Sequence, residues 1–285
     1  MTCIVKVTYS TLVLIFFNII TSGVNGNNVK VQDYPSKVIV QSFGVPHSCA
    51  GVLITPRHVL TVAHCVVKKN TREEYLDAQT TKAYKVIPID VTLTGDPTKL
   101  RWRQDNEFWV SNVDIHKNRQ SSDNISADIA VLTLFVGIEA NETRMHSLLP
   151  KSDSIDDEKL TALAYGFDYN VNAGVQGNET NLLTLGQFKI SNDSDCENNN
   201  NEPQKIDEFC VTNLKKDTCY GYAGDSLKNK NNEVVGLITD SWNCTNQSIR
   251  VLNIIPYKSW INDIINTGYS SQTKLVRRMY TTFVD

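Results

Sequence analysis

The sequence has no surplus of basic charge. Its 28 Lys and Arg stand against 31 Asp and Glu, a formal net charge of −3, so nothing draws the whole chain onto phosphate and nucleic acid is not an expected partner. No apolar run reaches the roughly 20 residues that a bilayer-crossing helix needs. Histidine is scarce: the five are scattered without the spacing of metal ligands, so neither a metal nor a cofactor is expected. There is no Gly-rich phosphate loop, no internal repeat and no heptad, which removes nucleotide-binding folds, solenoids and coiled coils. What is present suits a folded domain. Apolar residues make up 41% and charged residues 21%, enough for a buried core and against wholesale disorder. A length of 285 residues allows one or two domains.

The N-terminus reads as an export signal. Lys6 precedes an apolar stretch from Val7 to Ile20, followed by small residues at Thr21, Ser22 and Gly23. A positive start, a short apolar core and a small-residue cleavage site are the layout of a secretory signal peptide over residues 1–23, cut after Gly23 or Gly26. No membrane span is then expected in the mature chain. Cleavage removes Cys3 from a set of seven and leaves Cys49, Cys65, Cys196, Cys210, Cys219 and Cys244. An even set in a secreted chain reads as a disulfide framework, although the count alone leaves about fifteen connectivities open. Six Asn-x-Ser/Thr sequons, at Asn124, Asn141, Asn178, Asn192, Asn243 and Asn246, add an independent trace of the secretory route. The expectation is a secreted extracellular glycoprotein.

Short apolar runs recur along the chain: Lys37 to Val40, Gly51 to Ile54, Val59 to Val62, Val86 to Leu93, Ala130 to Leu134, Leu160 to Ala164, Leu182 to Ile190, Val234 to Ile238 and Val251 to Ile255. They are rich in Val, Ile, Leu and Thr and are separated by Asn, Asp, Gly, Ser and Pro, which predicts an all-β barrel or sandwich. Only the end differs. Pro256, Trp260, Ile261, Ile264 and Ile265 have helical spacing and predict an amphipathic C-terminal helix with Pro in its first turn. Asp193 to Lys205, polar and carrying a run of four Asn, is expected to be a surface loop between Cys196 and Cys210. Residues 269–285 form a polar tail that reads as a frayed terminus rather than an anionic-surface contact.

Two motifs carry the chemistry. Cys49-Ala-Gly-Val-Leu-Ile precedes Val59-Leu-Thr-Val-Ala-His64-Cys65, and Asp128-Ile-Ala-Val-Leu-Thr-Leu follows some sixty residues later. Here the sequence resembles the chymotrypsin-like, trypsin-type serine peptidases. The resemblance implies two antiparallel Greek-key β-barrels packed across a cleft, with a C-terminal α-helix, over residues 24–268. It implies that His64 is the general base and that Asp128 orients its imidazole. It also implies the bridges Cys49–Cys65, Cys196–Cys210 and Cys219–Cys244, the first closing a loop worth roughly 3 kcal/mol. His116, Tyr165-Gly-Phe167 and Trp260-Ile261 fall in register with the family as well.

The pattern breaks where the nucleophile belongs. Active relatives carry Gly-Asp-Ser-Gly-Gly-Pro, whereas this chain reads Cys219-Tyr-Gly-Tyr-Ala-Gly-Asp-Ser-Leu227. Aligned without gaps, Gly221 and Gly224 match, Tyr222 replaces the aspartate and Ala223 replaces the serine. Alanine has no Oγ, so no acyl-enzyme can form. The alternative register makes Ser226 the nucleophile, at the cost of a three-residue insertion and of losing the Gly-Gly-Pro that should follow it. The Ile-Val-Gly-Gly terminus of activated relatives is missing too, the comparable stretch reading Gly23-Val-Asn-Gly26. In the specificity pocket, Asp217 matches the acid that selects Lys or Arg, Ile249 replaces a glycine and narrows the slot, and Asp240 replaces a tryptophan. The expectation is a monomeric, catalytically silent homologue that binds a protein or peptide ligand, such as an active protease or its substrate. Two alternatives stay open: an active endopeptidase using Ser226 with His64 and Asp128, and weak hydrolysis by water that His64 polarises.

Overall fold

The computed structural model describes residues 35–42, 48–66, 84–88, 107–120, 126–140, 145–155, 160–167, 179–200, 205–214, 223–239 and 248–267. Six strands build the first half: β1 (Lys37–Ser42), β2 (Ser48–Thr55), β3 (His58–Thr61), β4 (Tyr84–Pro88), β5 (Phe108–Ile115) and β6 (Ala130–Leu134). Six more build the second: β7 (Leu160–Phe167), β8 (Glu179–Ile190), β9 (Glu208–Asn213), β10 (Ser226–Lys228), β11 (Val234–Ile238) and β12 (Ser248–Asn253). Each set closes into an antiparallel barrel, and the order is the same in both: β1-β2-β3-β6-β5-β4, then β7-β8-β9-β12-β11-β10. One topology is therefore used twice without a repeat in the sequence.

Strand alternation explains why the apolar runs are continuous rather than every second residue. Successive side chains point to opposite faces of a strand. In β2, Leu53 enters the core of the first barrel while Val52 and Ile54 join a core lying between the barrels. In β6, Ala130, Leu132 and Leu134 face inward, and Val131 faces the other barrel with Ile129. In β12, Val251 fills the second barrel and Leu252 the shared core. Strands that are apolar on both faces have water on neither, as the uninterrupted Val/Ile/Leu runs require. The shared core is what brings His64, Asp128 and Ala223 to one place.

The C-terminal helix α2 (258–267) follows a 3-10 turn, Ile255–Tyr257, that holds Pro256. Its Ile261 is fully buried in the shared core, with Trp260, Ile264 and Ile265 packed at the edge. The polar stretch read as a surface loop is different: Asp193–Asn200 forms a helix, α1. Asn-rich sequence has weak helix propensity, which hid it. Two other features compensate. Asp193 and Asp195 sit in the first turn, where carboxylates favour the helix dipole, and Cys196 bridges to Cys210 in β9. The export signal, the tail, residues 89–93 and the sequons at Asn124, Asn141, Asn178, Asn243 and Asn246 lie outside the described residues. Asn192 is exposed.

Candidate active site

His64 sits in a 3-10 turn, Ala63–Cys65, at the end of β3. Both flanks of the turn are held: the Cys65 sulfur bridges to Cys49, and the Ala63 N–H donates to the Asp128 carbonyl at 3.2 Å. The imidazole is 42% exposed while the Asp128 side chain is 14% exposed, so the ring reaches solvent from a shielded carboxylate. His64 Nδ1 lies 2.5 Å from Asp128 Oδ2. Oδ1 accepts the His64 backbone N–H at 2.8 Å and faces Arg119 Nε at 3.3 Å. Burial pushes the Asp128 carboxyl up, but the hydrogen bonds and charge of His64, with the Arg119 guanidinium, outweigh it and hold the group below the usual carboxylate range. A carboxylate on Nδ1 fixes ring orientation and leaves Nε2 to accept a proton.

The backbone before Asp128 is unusual. Ala127 has φ 42°, a left-handed conformation rare for a residue with a Cβ, and the Ile129 N–H closes back on the Ala127 carbonyl at 2.8 Å. This tight turn presents Asp128 to His64. Asp207, just ahead of β9, accepts the N–H groups of Ser126 at 2.7 Å and Ala127 at 2.8 Å. Its Oδ2 also accepts the Tyr257 hydroxyl at 2.5 Å. His116 packs edge-on against Tyr257 and Trp260 with ring centroids 4.9 and 5.1 Å away.

Ala223 lies beside the histidine turn. Its carbonyl accepts the Ala50 N–H at 2.9 Å and is 3.8 Å from the Cys65 sulfur, and its methyl group is buried in the shared core. Gly224 follows with φ 93°, and a Cβ there would stand 2.1 Å from the Ala50 oxygen and 2.6 Å from Thr61 Oγ1. Only glycine fits so close an approach of the two barrels. Ser226 opens β10, paired with Leu237 of β11. Among the described residues, the His64 ring has Asp128 as its hydrogen-bonding partner and Ser226 makes no hydrogen bond to it.

Next to this segment runs a buried polar seam. Asp225 forms an ion pair with Lys37 of the first barrel, both almost fully buried. Lys228 donates to Ser36 Oγ at 2.9 Å, and Ser36 Oγ is 2.7 Å from Ser147 Oγ. Burial, and then the neighbouring Lys37 charge, pushes the Lys228 ammonium down to about 8. Ile249 is partly buried on β12 and packs against the core of the second barrel. Asp217, Cys219, Gly221, Tyr222, Asp240 and Cys244 lie outside the described residues. Asp207, Arg119 and Lys37 carry no local motif, and Asp225 was read only as part of the Gly224-Asp225-Ser226 string, so its pairing with Lys37 was missed. The one available signal was Lys37, a lone charge heading an apolar run.

A family model described as Trypsin matches residues 23–261. Among curated relatives, a venom serine protease of Polistes dominula is 25% identical over 217 residues, covering 72% of this chain and 69% of that protein. A trypsin of Saccharopolyspora erythraea is 25% identical over 224 residues, covering 77% and 86% respectively. A trypsin of Simulium vittatum is 26% identical over 228 residues, covering 77% and 81%. Among solved structures, neuropsin, a serine protease expressed in the limbic system of mouse brain, superposes with a TM-score of 0.61 at 20% identity, over 85% of this chain and 99% of that one. That likeness speaks to the fold, and the matched family model speaks to descent: the chain belongs to the trypsin family of serine peptidases.

Proposed function

We propose that this chain is a secreted, glycosylated trypsin-family protein that has lost covalent catalysis and works as a monomeric binding or regulatory protein. Its ligand is a protein or peptide, of the kind an active protease or its substrate would present. Ala223 carries the reading. Its carbonyl is tied to Ala50 beside the Cys49–Cys65 bridge that flanks His64, and its side chain is a methyl group. Without an Oγ at that point no acyl-enzyme forms, and loss of a serine nucleophile costs about a million-fold in rate. His64 and Asp128 keep an orienting geometry, which leaves polarisation of a water as the residual chemistry. Asp217 is retained from an ancestral pocket for Lys or Arg, with Ile249 narrowing its wall. Export is supported by the two disulfides, which persist in oxidising compartments.

The test is covalent labelling of the folded, secreted protein with a fluorophosphonate probe, with trypsin as the positive control. No adduct is expected. An adduct mapped to Ser226 overturns the reading and makes the protein an active endopeptidase.

A further inference from the structure

The Asp207 carboxylate accepts three hydrogen bonds, and the residue is 5% exposed and belongs to neither motif that identifies the site. Its partners come from two other places in the fold: consecutive N–H groups of Ser126 and Ala127, and the hydroxyl of Tyr257 in the turn before α2. Oδ1 serves Ser126, and Oδ2 serves both Ala127 and Tyr257. Two N–H groups aimed at two different oxygens need a carboxylate, because a carboxamide turns one of those acceptors into a donor. The bonded residues lead directly into the strained turn. Ala127 is held at φ 42°, and the next residue is Asp128. Such a backbone persists only where its surroundings over-determine it. Here Asp207 supplies the hold from one side, and the Ile129 N–H on the Ala127 carbonyl supplies it from the other.

We infer that Asp207 is a positioning residue of the candidate site: it fixes the left-handed turn that aims Asp128, and through Asp128 it sets the His64 imidazole. The link crosses the molecule, since Asp207 heads a strand of the second barrel while Asp128 and His64 belong to the first. Tyr257 donates its hydroxyl to the carboxylate, and His116 packs edge-on against Tyr257 and Trp260. The role holds whether or not the protein turns over a substrate, because it concerns the geometry of the dyad.

The test reads that geometry directly. In proton NMR of the full chain, the hydrogen between His64 Nδ1 and Asp128 Oδ2, 2.5 Å apart, is expected to give a low-field signal. Asp207→Asn, nearly isosteric, is expected to lose that signal and to raise amide exchange at Ser126 and Ala127 at least about tenfold. Tyr257→Phe keeps both backbone bonds and is expected to keep the signal. A folded Asp207→Asn protein with the signal unchanged, even at a lower melting temperature, reduces Asp207 to ordinary stabilisation and overturns the inference. Loss of the signal in Tyr257→Phe as well assigns the effect to general loosening and also overturns it. Should Asp207→Asn fail to fold, the unmodified protein is examined in mild denaturant. The low-field proton and the Ser126 and Ala127 amides are expected to be lost through one opening, and amides that exchange while the low-field signal stays overturn the inference.

Discussion

On the proposed reading Ala223 stands at the nucleophile position, yet restoring a hydroxyl to it is not expected to restore turnover. On the proposed register a serine there restores the hydroxyl but not the support around it. Tyr222 stands where the family resemblance calls for an aspartate to pair with a freed N-terminus, so the donors that hold a developing oxyanion have nothing to order them. Ala223→Ser is therefore expected to stay at background in peptide-ester hydrolysis and to show no burst in active-site titration, whereas a stoichiometric burst overturns the argument. At this scale the sequence was informative where chemistry is local. Val-Ala-His64-Cys65 and Asp128-Ile-Ala are contiguous strings whose residue types state a role. Asp207 and Arg119 reach Asp128 only through tertiary folding, and neither neighbourhood differs from ordinary polar surface sequence.

At the scale of elements, the histidine turn depends on a short closed loop. Cys49 in β2 and Cys65 just beyond β3 are 16 residues apart, and their bridge spans the β2–β3 hairpin that presents His64. Replacing both by serine is expected to lower unfolding free energy by about 3 kcal/mol, measured by urea denaturation without reductant. The low-field His64 signal should weaken along with stability, because the turn loses its outer flank. Strand runs were legible because Val, Ile and Leu cluster in them. Their continuity concealed the two-faced burial that joins the barrels, since periodicity alone does not say what lies on the second face. The helix α1 was not legible for the opposite reason. Its Asn-rich composition argues for a loop, and it stands through two N-terminal carboxylates and one disulfide rather than through an apolar face.

At the scale of the whole molecule, the buried cations make stability depend on alkaline pH. An unfolded lysine keeps its proton to about its ordinary 10.5, while Lys228 in the folded protein gives it up near 8. Between those values the unfolded chain binds more protons, so stability rises with pH. Lys37 acts in the same direction: burial lowers it, against the pull of Asp225. Tyr84 and Tyr257 act in reverse. Burial pushes both phenols above their ordinary 10.0, and Asp207 adds to the effect at Tyr257. Above that pH the unfolded phenols lose protons that the folded ones retain, and stability falls. Urea midpoints are expected to climb from pH 8 to about 10 and then drop, with the climb flattened in Lys228→Met. A steady fall from pH 8 in the unmodified protein overturns this account. Beyond the lone charge of Lys37 the sequence does not announce such a seam, because Ser36 and Lys37 meet Ser147, Asp225 and Lys228 only in the folded chain.

That separation along the chain sets a delay. Asp225 lies 188 residues after Lys37, and Lys228 lies 192 after Ser36. Synthesis at about 5–20 residues per second leaves Lys37 without its carboxylate for roughly ten to forty seconds after it is made. Throughout that interval the first barrel holds an open apolar wall and a hydrated ammonium on the face that later becomes interior. That face stays open until the second half of the chain has been made, and the docking of the two halves is the step at which Asp207 reaches the turn that carries Asp128.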